Sequence, residues 1–193
     1  GVEISGVQRA PSTKTSVLFN AITPDGERSM FTYRGANVNT TPAEIPADLF
    51  AHADWLHISG YALLNSPQRE AVWQAVRLAQ HHRVPISLDP ALFPAQHVPE
   101  QLLALLPHLA LCVLGPDEAE AILSAHPGSL GLRDLAAALL GRGVKCVALK
   151  LGAQGCVIAT ANDWQAVPAV PANVIDTTGA GDAFSAGAIY GCL

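Results

Sequence analysis

The chain carries, close to its C-terminal end, the stretch Asp176-Thr177-Thr178-Gly179-Ala180-Gly181-Asp182-Ala183-Phe184. An apolar run with prolines precedes it, and the small residues that follow, from 183 to 189, predict a helix. The glycines therefore lie where a loop turns into a helix. That junction gathers unpaired backbone N–H groups and the positive end of the helix dipole. We expect Gly179, Ala180 and Gly181 to form an anion site that suits phosphate.

One carboxylate, Asp182, directly follows the glycines. Beside a bound phosphate a carboxylate repels, unless it has another task such as accepting a proton from an attacking hydroxyl. An ordinary loop with a helix cap is the alternative interpretation, because glycine-rich turns are common where strands lead into helices. An anion site and a base in one short segment predict phosphoryl transfer.

Strand-like and helical patterns alternate along most of the chain. We predict strands over 15–21, 28–33, 54–60, 85–89, 110–114, 145–151, 155–160 and 164–167. We predict helices from Ser66-Pro67 onward, with Ser66 as the N-cap and Pro67 in the first turn, and over 99–106, 117–124 and 132–142. This alternation indicates an α/β fold, with a mainly parallel sheet and helices on both faces.

Polar residues and a glycine follow several of the predicted strands directly. They are Asp89, Asp117, Gly152 and Asp176. Ligands of such sheets gather beyond the carboxyl ends of the strands, so one crevice could collect all four. The two earliest strands are joined by a segment with Pro24-Asp25-Gly26, a turn signal that predicts a separate hairpin over 15–33.

Composition limits the classes of function. Half of the 193 residues are hydrophobic and 14% are charged, which suits one globular domain with a sizeable core. A net charge of −5 argues against a nucleic-acid partner but not against ATP, which a local group of amides can bind. No apolar run reaches membrane-spanning length, so we expect no membrane partner. The four cysteines form no C-x-x-C pair, which favours free thiols in a reducing cytoplasm.

The 176–184 stretch also resembles the C-terminal signature of the ribokinase-like (pfkB) carbohydrate kinases, D-T-T-G-A-G-D-x-F. The resemblance implies ATP-dependent phosphorylation of a sugar or sugar-derived hydroxyl, with Mg²⁺ as cofactor. Asp182 would be the base and would contact the substrate, while the amides of Gly179 to Gly181 would stabilise the transferring phosphoryl group. The small-molecule partners implied are a sugar and ATP.

The segment Gly115-Pro116-Asp117-Glu118-Ala119-Glu120 admits two interpretations. Asp117 as N-cap and Glu120 at the third helical position would form a capping-box-like arrangement. The segment also resembles the family's N-x-x-E motif, in which Glu120 would hold Mg²⁺ through water. Asp117 would then border the nucleotide, and it departs from the family's Asn by adding a negative charge.

Two further groups of residues are assigned by the resemblance. Gly152 and Gly155 match a G-x-x-G stretch that lines the nucleotide, although the glycines also suit a hairpin turn. Lys150, just before them, could pair with a phosphate as a point charge, the alternative being an exposed strand end. Asp176 and Thr178 match the surroundings of a monovalent cation, which implies potassium activation. The alternative for Asp176 is a loop cap that bonds its own backbone.

The front of the chain resembles the family as well. Tyr33 and Arg34 end the predicted hairpin, where some members place groups against a sugar, although an arginine at a strand end is usually solvated. Gly35-Ala36-Asn37 and His57-Ile58-Ser59-Gly60 also match family segments, the second one beside the sugar. The hairpin would serve as a lid over the sugar and could pair two subunits in a homodimer.

Residues 1–193 match only the middle of the family's length, so we expect a partial ribokinase-like domain without the leading and C-terminal segments. Two alternatives to a sugar kinase stay open. One is a nucleoside kinase, because the discriminating substrate contacts would precede Gly1. The other is a degenerate, non-catalytic relative that binds a ligand or oligomerises, which the departure at Asp117 supports and the intact GAGD sequence opposes.

Overall fold

The main sheet has six strands whose order in space is their order along the chain. A computed structural model describes residues 2–23, 28–174 and 176–193. The strands are β3 (Leu56–Ser59), β4 (Ile86–Asp89), β5 (Leu111–Leu114), β6 (Cys146–Lys150), β7 (Cys156–Thr160) and β8 (Trp164–Val167). The first four run parallel, while β7 is antiparallel to β6 and β8 to β7. The α/β fold with a mainly parallel sheet is confirmed.

Helices cover both faces of the sheet, but unequally. They are α1 (Gln68–His82), α2 (Leu92–His97), α3 (Pro99–Leu105), α4 (Pro116–Leu123), α5 (Leu132–Leu140) and α6 (Ala180–Tyr190). The first five follow β3, β4 and β5, and all contribute to the larger core cluster. Crossovers between parallel strands are almost always right-handed. Strands that advance in one direction therefore put their crossover helices on the same face.

The alternation of side chains along each strand separates two cores. Leu88, Cys112, Leu114 and Leu149 face the larger cluster beneath α1 to α5. Leu111, Val113 and Ala148 face the other side, where Phe184, Ala188 and Ile189 of α6 pack on them. Successive residues of a strand point to opposite faces, so β5 and β6 serve both cores. The helix that opens with the glycine-rich stretch is thus fixed over the centre of the sheet.

The predicted hairpin forms a separate two-stranded antiparallel sheet of β1 (Val17–Ile22) and β2 (Arg28–Tyr33). Its register pairs Val17 with Tyr33 and Phe19 with Phe31, whose ring centroids lie 6.3 Å apart. The predicted Pro24-Asp25-Gly26 turn lies outside the described residues. The hairpin leaves large apolar side chains exposed, including Phe19 at 64% and Phe31 at 63%.

Two predictions about helix starts are wrong. Helix α1 begins at Gln68 with Pro67 as its N-cap, and no side chain caps it; the Ser66 hydroxyl bonds Glu70 Oε1 at 2.7 Å instead. Helix α4 has Gly115 as its N-cap and Pro116 in its first turn. Proline is well tolerated in the first turn, because its missing N–H is one that the helix leaves unpaired. Asp117 is therefore not the capping residue of α4.

Helix α2 was not among the predicted elements, because the six residues it comprises carry no clear periodicity. The ends of the other main strands and helices differ from the prediction by one to a few residues, as helix and strand ends commonly do. None of the helices within the described ranges combines the length and apolarity needed to cross a membrane.

One glycine of the β6–β7 connection is required by close backbone contact. Gly155 has φ of +94°, and a Cβ at this position would lie 2.0 Å from the carbonyl oxygen of Val167. A side chain would therefore displace the segment that leaves β8 toward α6. The glycine lets β7 start directly against that segment.

Candidate active site

The carboxyl ends of β4 and β6 are joined by an ion pair. Lys150 Nζ lies 3.0 Å from Asp89 Oδ2, and the two side chains are only 22% and 17% exposed. Strand β5 lies between β4 and β6, so the pair spans the strand between them. Partial burial strengthens the attraction relative to an ion pair in water. The pair lies at the edge of the sheet where the ligand crevice is predicted.

A second carboxylate reaches the same lysine from the start of α4. Glu118 Oε2 lies 3.5 Å from Lys150 Nζ and accepts the Gly115 N–H at 2.6 Å. Glu118 therefore closes the first turn of α4, as a carboxylate at the third helical position commonly does. The capping interaction predicted for Glu120 is thus made by Glu118, and the same side chain adds a charge to the crevice.

Helix α6 rests on this ion pair. The Ser185 hydroxyl, which is 2% exposed, donates to Asp89 Oδ2 at 3.2 Å. Gly181 faces the pair as well, since a Cβ there would lie 3.8 Å from Lys150 Nζ and 3.9 Å from Asp89 Oδ2. The sheet charges and the first two turns of α6 therefore form one polar cluster.

The glycine-rich start of α6 has the geometry of a helix N-terminus. Gly179 is the N-cap with φ of +78°, a left-handed conformation that glycine adopts at little cost. The Ala180 amide already donates to the Thr177 carbonyl at 3.1 Å. Of the three amides predicted to hold an anion, those of Gly179 and Gly181 are therefore the better candidates.

Asp182 lies in the first turn of α6 and is exposed, so solvent or a ligand can reach its carboxylate. His57, on β3, lies near enough for the charges of Asp182 and Asp89 to affect it. Burial lowers the pKa of His57 below its ordinary value, and the two carboxylates act against that shift. Asp182, Asp89 and His57 therefore share one side of the sheet, beneath and beside α6.

Glu120 and Asp117 are not part of this cluster. Glu120 is 5% exposed, and its carboxylate accepts the N–H groups of Gly128 at 2.9 Å and Leu130 at 3.4 Å. Asp117 is exposed and lines, together with Glu120, a cavity between α2 and α4. Glu120 thus orders the loop after α4. A role of Glu120 in holding Mg²⁺, and of Asp117 beside a nucleotide, stays a prediction.

Three further predicted residues are Gly152, Asp176 and Thr178. Gly152 has φ of +56°, and a Cβ at this position would have no neighbouring atom within 4 Å, so its surroundings are open. Asp176 Oδ1 accepts the Thr178 N–H at 2.8 Å, which is the loop-cap interaction considered for it. The monovalent-cation site predicted at Asp176 and Thr178 stays a prediction.

Arg34 ties the hairpin to the start of α1. Its guanidinium donates to Asn65 Oδ1 at 2.8 Å, to the Tyr61 carbonyl at 2.7 Å and to Gln68 Oε1 at 2.8 Å. Burial lowers the pKa of Arg34 below its ordinary value. The partly buried guanidinium is therefore held by oxygens of the segment from Tyr61 to Gln68, and its predicted contact with a sugar stays a prediction. Tyr33, by contrast, is 56% exposed at the end of β2.

Sequence reasoning gave no individual role to four side chains of the site. They are Asp89, Glu118, Ser185 and the His57 imidazole. For Asp89 a signal existed, because a carboxylate directly follows an apolar strand at the ligand-binding edge. For Ser185 no signal existed in the chain, since a serine within a run of small helical residues has many roles.

Replacing Lys150 tests whether the ion pair supports the site. Lys150→Met leaves Asp89 and Glu118 facing each other without a cation, so we expect the free energy of unfolding to fall by about 1–3 kcal/mol. Lys145→Met, which alters an exposed lysine just before the same strand, should change it by less than about 0.5 kcal/mol. Denaturant titration measures both values. Equal costs for the two variants would contradict the supporting role.

Solved structures of other proteins share this architecture. The adenosine kinase from Sinorhizobium meliloti superposes with a TM-score of 0.80 and 29% sequence identity, covering 90% of this chain and 53% of that one. A chain from E. coli, assigned as a Ribokinase II and bound to ATP and Mg²⁺, superposes with a TM-score of 0.73 and 25% identity. That superposition covers 86% of this chain and 55% of that one.

Sequence comparison agrees with the structures. The chain is 32% identical over 188 residues to the Ribokinase of Staphylococcus aureus (strain COL), covering 95% of this chain and 58% of the relative. It thus spans little more than half the length of the relatives it matches. Residues 1–193 as a whole match the pfkB family of carbohydrate kinases. The chain therefore belongs to the pfkB carbohydrate kinase family.

Proposed function

We propose that this chain is the core of a kinase that transfers the γ-phosphoryl group of ATP to a hydroxyl of a sugar. One observation carries the proposal: an exposed carboxylate, Asp182, lies in the first turn of α6, whose N-cap is Gly179 and whose second residue is Gly181. A base and a helix N-terminus then face the same space. That arrangement suits a reaction in which an alcohol is deprotonated while a phosphate is held.

In the proposed reaction Asp182 accepts the proton of the acceptor hydroxyl. The hydroxyl oxygen forms a new bond to the γ-phosphorus, and the bond from that phosphorus to the ADP oxygen breaks. Charge grows on the transferring group, where the amides of Gly179 and Gly181 and the helix dipole would stabilise it. A phosphate would have to compete with Asp89 and Glu118 for Lys150, so we assign the lysine first to the support of α6.

Mg²⁺, when bound, neutralises part of the triphosphate charge. Within residues 2–23, 28–174 and 176–193 no group of three or more His, Cys, Asp or Glu side chains could hold a metal ion. Glu120 offers hard oxygens of the kind Mg²⁺ takes, but amides already occupy part of its carboxylate. We therefore propose that the metal arrives with ATP and that Glu120 holds it through water. Asp117, Gly152 and Gly155 would border the nucleotide.

A nucleoside kinase is the second candidate, because the adenosine kinase from Sinorhizobium meliloti is 29% identical to this chain. Both candidates use the same base and the same helix N-terminus. They differ in the acceptor, so turnover of the full-length protein over a panel of sugars and nucleosides separates them. We place the protein in the cytoplasm, where ATP is available.

Asp182→Asn tests the base directly. The amide keeps the size of the carboxylate but cannot accept the proton, so we expect kcat to fall by about 10²–10⁴-fold. ATP binding, measured by isothermal titration, should stay close to that of the wild type. Asp134→Asn is the matched control, because Asp134 is also an exposed carboxylate in the first turn of a helix, α5. Substantial turnover by the Asp182 variant would remove the proposed mechanism.

The loop before α6 provides a second test. We propose that Asp176 and Thr178 adjoin a monovalent cation and thereby order the start of α6. Turnover should then be higher in potassium chloride than in choline chloride at the same ionic strength, with sodium chloride between or equal to choline. Identical rates in the three salts would contradict cation activation, while leaving the role of Asp182 intact.

The hairpin of β1 and β2 is proposed to act as a lid and to pair with a second copy of the chain. Its exposed apolar side chains would be covered in such a dimer; they are Val17, Leu18, Phe19, Ile22, Met30, Phe31 and Tyr33. Sedimentation equilibrium should then give a dimer that Phe31→Ser weakens. Val170→Ser, at an exposed apolar residue outside the hairpin, should have no effect. A strict monomer would contradict the pairing.

A further inference from the structure

Three side chains form a hydrogen-bonded row on the face of the sheet that α6 covers. Ser87 of β4 is fully buried, and its Oγ lies 2.8 Å from Trp55 Nε1 and 2.8 Å from His57 Nδ1. His57 and Ser87 are direct partners in the register of β3 and β4. Trp55 packs against the small core beneath α6. The row therefore starts in that core and ends at His57.

The direction of these hydrogen bonds follows from which of the three groups can donate and which can accept. An indole Nε1 can only donate, so the Ser87 oxygen accepts from Trp55. Within the described part of the chain, Trp55 and His57 are the two partners of the Ser87 hydroxyl. Its buried proton therefore has one acceptor, His57 Nδ1. If Nδ1 carried a proton, the Ser87 O–H would be buried without an acceptor, which is costly.

The tautomer of His57 follows from this. With Nδ1 as the acceptor, the ring is uncharged and its proton lies on Nε2. The residue keeps an exposed edge, although contact with buried Ser87 removes water from Nδ1. Burial also lowers the pKa of His57, against the charges of Asp89 on β4 and Asp182 on α6. At neutral pH the imidazole thus presents an N–H donor, not a positive charge.

The other charged side chains of the crevice leave it negative. The ammonium group of Lys150 contacts the carboxylates of Asp89 and Glu118, which together outweigh its charge by one. The exposed carboxylate of Asp182 adds a further negative charge in the first turn of α6. The guanidinium of Arg34 is engaged by three neutral oxygens of the segment that leads into α1. No cation is therefore left unengaged among these groups to receive a carboxylate on the acceptor.

We propose that His57 is a specificity-determining residue, which donates from Nε2 to a hydroxyl or carbonyl oxygen of an uncharged phosphoryl acceptor. The assignment rests on the proposed kinase function. It makes neutral sugars or nucleosides the substrate class and rejects sugar acids, whose carboxylate would meet like charges and an uncharged imidazole. Trp55 and Ser87 are positioning residues, because they act only through the tautomer of His57.

The hydrogen bonds from Trp55 through Ser87 to His57 can be tested by a measurement that does not depend on enzymatic turnover. In the full chain with ¹⁵N-labelled histidine, the ring signals of His57, assigned by their loss in His57→Gln, should show the Nε2–H tautomer at pH 7. Ser87→Ala should yield a mixture of tautomers. Ser87→Thr, which keeps the hydroxyl, should retain the Nε2–H form. It shows whether a changed tautomer in Ser87→Ala comes from loss of the hydroxyl or from misfolding. An Nδ1–H or imidazolium ring in the wild type would overturn the proposal.

Kinetics test the acceptor. His57→Leu should raise KM for a neutral acceptor about tenfold and leave KM for ATP unchanged, because one substrate hydrogen bond is lost. His57→Gln, which keeps an N–H donor, should recover most of that loss. His52→Leu, at an exposed histidine that precedes β3, is the control and should match the wild type.

The outcomes separate the two proposals. Higher kcat/KM for aldonic or uronic acids than for neutral sugars would overturn the specificity assignment, and so would a neutral-acceptor KM that His57→Leu does not change. Neither result would affect the role of Asp182. Failure of the wild-type protein to phosphorylate any acceptor would overturn the kinase proposal itself, while the tautomer measured by NMR would still report on the hydrogen-bond row.

Discussion

The ion pair between Lys150 and Asp89 is the interaction on which the site depends. It joins the ends of two strands across a third, and its members also bind the first turn of α4 through Glu118 and the second turn of α6 through Ser185. Parallel strands bring their carboxyl ends to one edge, but they do not fix the helices above that edge. A partly buried charge pair does, because each charge needs a partner.

On the face of the sheet that α6 covers, some polar groups bond one another and others are open to a ligand. The lysine is surrounded by carboxylates that it neutralises only in part, whereas Asp182 and the glycines of α6 remain open to solvent or a ligand. The proposed phosphoryl transfer would need its reacting groups held in place, and an exposed carboxylate above a network of ion pairs and hydrogen bonds suits that requirement.

The strand order explains how the helices are distributed over the two faces of the sheet. Strand order along the sheet follows chain order, and right-handed crossovers then put α1 to α5 on one side, where they build the larger core. Among the described helices, α6 alone, which follows the antiparallel strands β7 and β8, packs on the opposite side. The polar residues that alternate with the core residues of β3, β4 and β6 therefore point toward α6, which is why the charged and hydrogen-bonding groups gather there.

Local sequence by itself determined the α/β class, the positions of most strands and helices, the hairpin, and the glycine-rich start of α6 with Asp182 behind it. Each of these depends on periodicity, turn residues or glycine at a junction, all of which act over a few neighbouring residues. Only the tertiary structure decided that Glu118 rather than Glu120 closes the first turn of α4 and contacts Lys150. It also decided that Arg34 bonds the segment leading into α1, and that His57 shares the Ser87 hydroxyl with Trp55. These contacts link residues far apart in the chain, and a shift of one helical turn or one strand position would exchange their partners.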